Sequence, residues 1–559
     1  MLSDLWDYIV VGGGLAGSVI ASRLHQQNSS LAILLVEAGP DVSNNTVIPF
    51  APNDPYLVGS ELDWSYVTTP QVSLENRTIP APAGKALGGG TAINSCGWYR
   101  GDRSDYDDWA DLVGDQRWSY EGMLPYMKKT EKYFADNTTL PAEVVAQHGF
   151  SGPVHEASVS STGRKYPLRE PLKKGWLAFG LKDIPFGDAN SGSPLGVGEL
   201  QENRRDGRRQ LSSSVYPLRG VTVVTNTLVK RVVISENHGF TRATGIETAN
   251  GTRYYSKKEV IISAGSYRTP QLLMLSGIGP RSELEKHSIK PLVDAPGVGA
   301  NLWDHLQVQS RWKLQDSVAA QGVAIGSNTT LFDNPVYNLG LAEDWVITQT
   351  IPKASLIAAI TSDEGSAPTD SHRLLSRTRS FFETLTLYFA YSPSDPVVPA
   401  DGSHITAALI GLMPTSRGTI KLNTTDPRDA PIINGNFYTT QVDRLAMRQG
   451  LRNLARMFLN TTEGLAMVER EALSARFVPT INATDAQIDA RVAHFAETSY
   501  HPGGTAAMGE VVDTDLKVIG VEGLRVVDAS VLPLPIAAHL QVAVYALAEQ
   551  AAEIIGLKR

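Results

Sequence analysis

Short apolar runs and small-residue turns alternate at both ends of the chain. Tyr8-Ile9-Val10-Val11 is an unbroken apolar run, the pattern of a strand covered on both faces. The run Gly12 to Gly17 follows, and then a stretch that predicts a helix. Ala32-Ile33-Leu34-Leu35-Val36 predicts a second strand. Val221-Thr222-Val223-Val224 and Val229-Lys230-Arg231-Val232-Val233-Ile234 read as a pair of strands. Glu259-Val260-Ile261-Ile262-Ser263 reads as another, turning through Ala264-Gly265 into a helix at about 269–276. Between residues 302 and 498 the periodicity weakens, loops lengthen and aromatic residues scatter. The strand–turn–helix pattern returns at Leu524-Arg525-Val526-Val527, with a helix over about 540–555. Repeated strand–turn–helix units predict an α/β fold built on a doubly wound, largely parallel sheet. Because both ends of the chain carry the pattern, the domain it forms is expected to be discontinuous, with a second domain inserted.

The first turn carries chemistry. Gly12-x-Gly14-x-x-Gly17 between a strand and a helix is the fingerprint of a turn that holds a dinucleotide pyrophosphate. Gly12 permits the tight turn, Gly14 lets backbone approach the phosphates, and Gly17 lets helix and strand pack closely. The helix N-terminus then presents unpaired N–H groups and partial positive charge to the anion. The second strand ends in Glu37, 20 residues after Gly17, where an acid is expected to receive a ribose hydroxyl. These features do not distinguish FAD from NAD. A second glycine-rich block, Gly84-Lys85-Ala86-Leu87-Gly88-Gly89-Gly90, suits neither helix nor strand. It predicts a loop whose backbone approaches something flat or phosphorylated.

Composition narrows the class. A chain of 559 residues is expected to hold two or more domains. A net charge of −8 and the absence of basic runs argue against nucleic-acid binding. The single cysteine, Cys96, excludes an intramolecular disulfide and leaves no cysteine-based metal site; no metal is expected. No segment is apolar and long enough to predict a membrane span. Nine Asn-x-Ser/Thr sequons occur, at Asn28, Asn44, Asn76, Asn137, Asn250, Asn328, Asn423, Asn460 and Asn482. Sequons matter only in a secreted chain. They predict a secreted glycoprotein in its mature form, although Met1 to Asp7 run directly into the first strand without a signal-peptide pattern. The alternative is a cytoplasmic protein.

Several further motifs occur together. They are the block from Gly84 to Gly101, Gly265-Ser266-Tyr267-Arg268-Thr269-Pro270, and Val298-Gly299-Ala300-Asn301-Leu302-Trp303-Asp304-His305. Pro414-Thr415-Ser416-Arg417-Gly418, His501-Pro502-Gly503-Gly504-Thr505 and Asp528-Ala529-Ser530 complete the set. In these, over nearly its whole length, the chain resembles the glucose–methanol–choline (GMC) family of flavin oxidoreductases. The resemblance implies FAD and a Rossmann-like FAD-binding domain over residues 1–160, 200–300 and 498–559. It implies an α+β substrate-binding domain over 161–199 and 301–497. It assigns Gly12, Gly14, Leu15 and Gly17 to the pyrophosphate, and Glu37 with Ala38 to the adenosine ribose. Leu87, Gly89, Asn94, Ser95, Cys96 and Gly97 fall along the flavin and its phosphates, and Val229 beside the adenine. Asp528 and Ala529 fall near the ribityl chain, and His539 and Leu540 border the cofactor. Members with histidine-linked FAD carry the link at or near the position of Asn94, so asparagine there implies a non-covalent flavin.

In the family, the positions of His501 and His539 face the flavin from the substrate side. Oxidising an alcohol requires removal of a hydroxyl proton and passage of a hydride to the flavin. Neutral imidazole suits the first task, and the cofactor performs the second. The resemblance thus assigns His501 as general base and His539 as hydrogen-bond partner to the substrate oxygen; His305 and His404 read as structural. Sugar-oxidising members usually carry Arg four residues and Asn two residues before the first histidine. Here those positions are Glu497 and Ser499. Tyr500 is similar to the aromatic residue found there in aryl-alcohol oxidases, and Trp98 and Tyr99 are candidate pocket walls. The expectation is oxidation of a benzylic, furanic or allylic primary alcohol to an aldehyde, with O2 or another electron acceptor. A sugar-acting member and an FAD-containing lyase or cyclase are the alternatives.

Overall fold

The computed structural model describes residues 5–46, 48, 50–135, 139–237 and 240–556. Two seven-stranded sheets organise them. In the first, Leu5–Val11 lies between Ile33–Val36 and Arg253–Ile262, all parallel. Thr222–Val224 extends the sheet beyond Ile33–Val36, and Leu524–Val526 pairs in parallel with Arg253–Ile262. Ile9, Val10, Leu34, Leu35 and Val260 to Ile262 are wholly buried, as unbroken apolar runs between covered faces require. The helix Leu15–Gln27 follows the first strand, and Gly265–Leu275 follows Arg253–Ile262. The last helix, Gln541–Gly556, is buried around nearly its whole circumference and packs on Leu15–Gln27. Arg23 of one helix pairs with Glu549 of the other at 2.6 Å.

One strand pairing differs from the sequence reading. Val221 to Val224 and Val229 to Ile234 are not partners. The former runs beside Ile33–Val36, whereas Val229–Asn237 pairs antiparallel with Phe240–Thr248. Amides in the linker explain this: Asn226 N–H goes to the Gly39 carbonyl and Thr227 N–H to the Glu37 carbonyl, both at 2.9 Å. The linker is thereby held against the end of the neighbouring strand and cannot fold back as a hairpin.

The second sheet, mainly antiparallel, runs in the order Val468–Ala472, Leu306–Leu314, His404–Gly411, Phe382–Leu387, Trp345–Gln349, Gly196–Glu199, with Glu497–Thr498 added beside Leu306–Leu314. Trp345–Gln349 and nearly all of Phe382–Leu387 are buried on both faces, which removes the polar alternation that would have marked them in the sequence. The 20-residue helix Gln441–Asn460, capped by the Thr440 hydroxyl accepting Asp443 N–H at 3.3 Å, covers one face of this sheet. A Cβ on Gly450 would come within 2.3 Å of Leu409, so helix and sheet are in close contact there. The other face presents Gln307, Gln309, Leu385, Leu387, Ala408 and Ile410 to a cavity. Among the described residues no helix is long and apolar enough to cross a membrane.

Candidate active site

A cavity of about 1190 Å³ lies between the two sheets. One end is built on the first turn. Gly12 has φ +99°, and a Cβ there would lie 2.3 Å from the Ser263 carbonyl oxygen; a Cβ on Gly17 would lie 1.9 Å from the Gly12 carbonyl oxygen. The helix Leu15–Gln27 has no side-chain cap, so its first N–H groups are left for a ligand. The second glycine-rich loop closes on the first turn, where a Cβ on Gly89 would meet Gly14 Cα at 2.6 Å. Gly12, Gly14, Leu15, Glu37, Ala38 and Gly89 line this end. Asn94, Ser95, Cys96, Gly97, Val229, Asp528 and Ala529 continue the wall, and His501, His539 and Leu540 stand at the other end. A glycine-lined turn at an uncapped helix N-terminus, leading to an elongated chamber, fits a dinucleotide.

Glu37 anchors the cradle. Its Oε2 accepts Gly13 N–H and its Oε1 accepts Gly39 N–H, each at 2.7 Å, and the carboxyl borders the cavity. Burial pushes its pKa up to about 7 against the opposing pull of those amides. Asp528 ties the last strand to the helix Gly265–Leu275. Its Oδ2 accepts Gly265 N–H at 2.9 Å and the Thr269 hydroxyl at 2.6 Å.

Three predicted site residues stand away from the cavity. Gly17 serves helix–strand packing, as its role requires. Leu87 does not line the cavity: its side chain packs against Gly13, within 2.7 Å of where a Cβ there would sit. Trp98 is not a pocket wall either. Its side chain is fully buried against Tyr545, with ring centroids 5.8 Å apart. The strand-like alternation around residue 98 turns Trp98 inward while Gly97 and Tyr99 border the cavity. Tyr99 and Tyr500 do line it.

The two histidines converge, with ring centroids 4.9 Å apart. His501 is aimed by its loop. Tyr500 adopts φ +64°, a left-handed conformation costing about 1–3 kcal/mol for a non-glycine residue, and donates its N–H to Thr498 Oγ1 at 2.9 Å. Asp304 accepts His501 N–H at 2.8 Å and the Thr498 hydroxyl. Burial raises the Asp304 pKa to about 7. His501 Nδ1 lies 3.1 Å from Nδ1 of the wholly buried His305. Burial, then the neighbouring His539 and His305, holds His501 well below the ordinary imidazole range. Burial and His539 lower His305 to about 3. Both rings are therefore neutral, and a proton on His501 Nδ1 donated to His305 leaves His501 Nε2 as a lone-pair acceptor. His539 is held differently: its Nε2 lies 2.6 Å from Glu383 Oε1, its ring 5.0 Å from Tyr99, and its Nδ1 faces Gly97.

His305 and Glu383 were missed as site residues. His305 sits in the same motif as Asp304 but carried no sign of proximity to a loop almost 200 residues later. Glu383 had a visible signal, a lone acid within Phe381-Phe382-Glu383-Thr384-Leu385. Strand alternation puts it on the face that carries Leu385 and Leu387, toward the cavity. A second buried group, Glu131–His148–Glu156, brings its ligand-type atoms within 4.8 Å of one another. Arg100 pairs with Glu131 at 2.5 Å and Asp188 with His148 Nε2 at 3.1 Å, so it reads as an ion-pair network.

Comparison with known proteins agrees with this geometry. Two family models described as GMC oxidoreductase match residues 6–307 and 414–548. The chain is 38% identical over 558 residues to the GMC-type oxidoreductase acuG of Aspergillus aculeatus, covering 99% of each chain. Among solved structures it is similar to pyridoxine 4-oxidase from Mesorbium loti (26% identity, TM-score 0.81, 98% of each chain). It is also similar to a fungal aryl-alcohol oxidase (25% identity, TM-score 0.79, 100% of each chain). With its glycine cradle, paired histidines and two-sheet architecture, this chain belongs to the GMC oxidoreductases and is an FAD-dependent oxidoreductase acting on small molecules.

Proposed function

We propose that this protein oxidises a primary benzylic, furanic or allylic alcohol to the aldehyde, with His501 as general base. The observation that carries the reading is the 3.1 Å His305–His501 Nδ1–Nδ1 contact: with the proton on His501 Nδ1, its Nε2 is the neutral acceptor on a residue that lines the cavity. His501 takes the hydroxyl proton as the C–H bond breaks. FAD, when bound along the cavity, supplies the acceptor for the hydride leaving the alcohol carbon. His539, with Nε2 committed to Glu383, turns Nδ1 toward the chamber beside Gly97 and orients the substrate oxygen. With a proton on each ring nitrogen, His539 donates through Nδ1 to that oxygen as it becomes more anionic, and the Glu383 carboxylate at Nε2 balances the ring's charge.

The chamber supports an apolar, ring-bearing substrate. Tyr99, Phe332, Leu385, Leu387, Phe389 and Ile410 are among its walls, and Glu497 and Ser499 stand where sugar-oxidising relatives place Arg and Asn. Asn94 supports a non-covalent flavin: its Oδ1 accepts from Arg209 Nη1 at 2.6 Å, and an amide offers no ring nitrogen for a covalent link. O2 is the proposed electron acceptor. Eight of the nine sequons lie among the described residues; seven of these are exposed and Asn28 is half-buried, which supports a secreted glycoprotein, whereas Asn137 lies outside the described residues. The distribution of strands between the sheets supports the division into an FAD-binding domain (1–160, 200–300, 498–559) and a substrate-binding domain (161–199, 301–497).

The test is anaerobic mixing of the flavin-loaded protein with benzylic, allylic and furanic alcohols and with glucose, followed by air. Bleaching by an activated alcohol with colour returning in air is the expected result. Bleaching that persists in air replaces O2 with another acceptor, and bleaching by glucose alone refutes the substrate class. No bleaching by any of them refutes the oxidation and turns attention to lyase or cyclase chemistry.

A further inference from the structure

We propose that Glu343 is the polar anchor of the substrate chamber, so that the preferred alcohols carry a second hydroxyl away from the carbon that is oxidised. This rests on the reading of the chamber as the alcohol site.

Glu343 borders the cavity yet is 2% exposed, and its Oε2 has no hydrogen-bond partner among the described residues. A buried carboxyl left unpaired is costly, and such atoms in native folds usually meet water or ligand. The nearby cation does not answer it. Arg164 Nη2 is bound to Glu202 Oε2 at 2.5 Å, and its Nη1 donates to the Leu341 carbonyl at 2.8 Å. Glu202 in turn accepts Leu341 N–H at 3.0 Å, which fixes the backbone just before Glu343. The backbone leading to Glu343 is thus pinned at Leu341 while the Glu343 Oε2 is unused.

Its surroundings define the partner. Burial first, then Glu202 and Glu383, raises the Glu343 pKa to about 8. Below that pH the group is a neutral acid, able both to donate and to accept, which matches a hydroxyl. Glu343 shares the cavity wall with Tyr99, whose ring stands 5.0 Å from that of His539. The anchor therefore lies on the His539 side of a chamber whose remaining walls are largely apolar. One end of the substrate meets the two histidines, and a second hydroxyl on its ring reaches Glu343. A site holding a buried group for that hydroxyl discriminates against analogues that lack it, because the group is then left unpaired.

The experiment uses flavin-loaded protein. Calorimetry measures binding of benzaldehyde and of 2-, 3- and 4-hydroxybenzaldehyde, and steady-state kinetics follows the matching alcohols. The expected result is that at least one hydroxylated aldehyde binds about tenfold or more tightly than benzaldehyde. Glu343→Leu should bring that preference to near unity, both by weakening the hydroxylated aldehyde and by removing the unpaired carboxyl that benzaldehyde leaves behind, and Glu343→Gln, which keeps the shape and a donor, should retain most of it. No preference in the parent protein, or the same preference in Glu343→Leu, overturns the anchor. A tighter grip on 3-(dimethylaminomethyl)benzaldehyde than on any hydroxylated ligand also overturns it, in favour of a cation site. If the aldehyde preference holds but none of the alcohols reduces the flavin, the anchor stands and the proposed oxidation fails.

Discussion

Replacing Glu383 by Gln isolates one charge at the site with little change in volume. The carboxylate lies 2.6 Å from His539 Nε2 and is buried, so the contact is a charge-assisted hydrogen bond shielded from water. Such bonds are worth about 1.5–3 kcal/mol. The amide keeps a carbonyl acceptor for the His539 N–H but removes the negative charge. The loss is therefore felt mainly when negative charge builds on the substrate oxygen that His539 holds, that is, in the transition state rather than in the bound substrate. At about 1.4 kcal/mol per factor of ten, the limiting rate of flavin reduction should fall roughly 10- to 150-fold. The apparent substrate affinity should change little. Anaerobic stopped-flow absorbance at the flavin band, over a range of benzylic alcohol concentrations, measures both quantities. A limiting rate within twofold of the parent would refute the role given to the charge. A rate loss accompanied by loss of bound FAD would show that Glu383 supports the fold instead.

His501→Ala should lower the limiting rate of flavin reduction by about 10²–10⁴-fold while leaving FAD bound, and near-parental reduction would remove His501 as the base. Because His501 is held well below the ordinary imidazole pKa, its neutral form persists as pH falls, so the limiting rate at pH 5.5 should stay within about twofold of that at pH 7.5; an unperturbed imidazole near 6.5 would be mostly protonated there, and a rate halving near that pH would contradict the shift. Gly17→Ala sets a Cβ 1.9 Å from the Gly12 carbonyl oxygen, so the purified variant should show a much reduced ratio of flavin to protein absorbance; a full complement of FAD would refute the close packing. Trp98→Phe, in the core beside Tyr545, should cost about 1–3 kcal/mol in urea unfolding with unchanged selectivity among alcohols, and a shift in selectivity would return Trp98 to the pocket.

The first sheet and its cradle were legible because each signal was local. An apolar run, a glycine spacing and an acid 20 residues on all lie within the first 37 residues, and backbone physics ties them together. The pairing of Val221 to Val224 was misread because nothing in that segment reveals that the next amides are claimed by Glu37 and Gly39. The second sheet was almost silent. Its strands are covered on one side by the helix Gln441–Asn460 and on the other face a ligand chamber, so apolar and small polar residues fill both faces and no period of two survives. The candidate pair His501 and His539 was read through the family motifs, whereas His305 and Glu383 reach it through contacts across 196 and 156 residues of sequence. Trp98 shows the reverse error: position beside a motif residue does not say which way a side chain turns.

The pairing of Arg23 with Glu549, 526 residues apart, has a consequence for how the protein is made. The strand Leu524–Val526, the Asp528 clasp and the helix Gln541–Gly556 leave the ribosome about 500 residues after the first turn. Until they dock, one flank of the first sheet is open and the helix Leu15–Gln27 lacks its partner. A nascent chain stalled before residue 524 therefore carries a finished phosphate turn in an unfinished domain, and lacks the part of the cavity wall that Asp528, His539 and Leu540 supply.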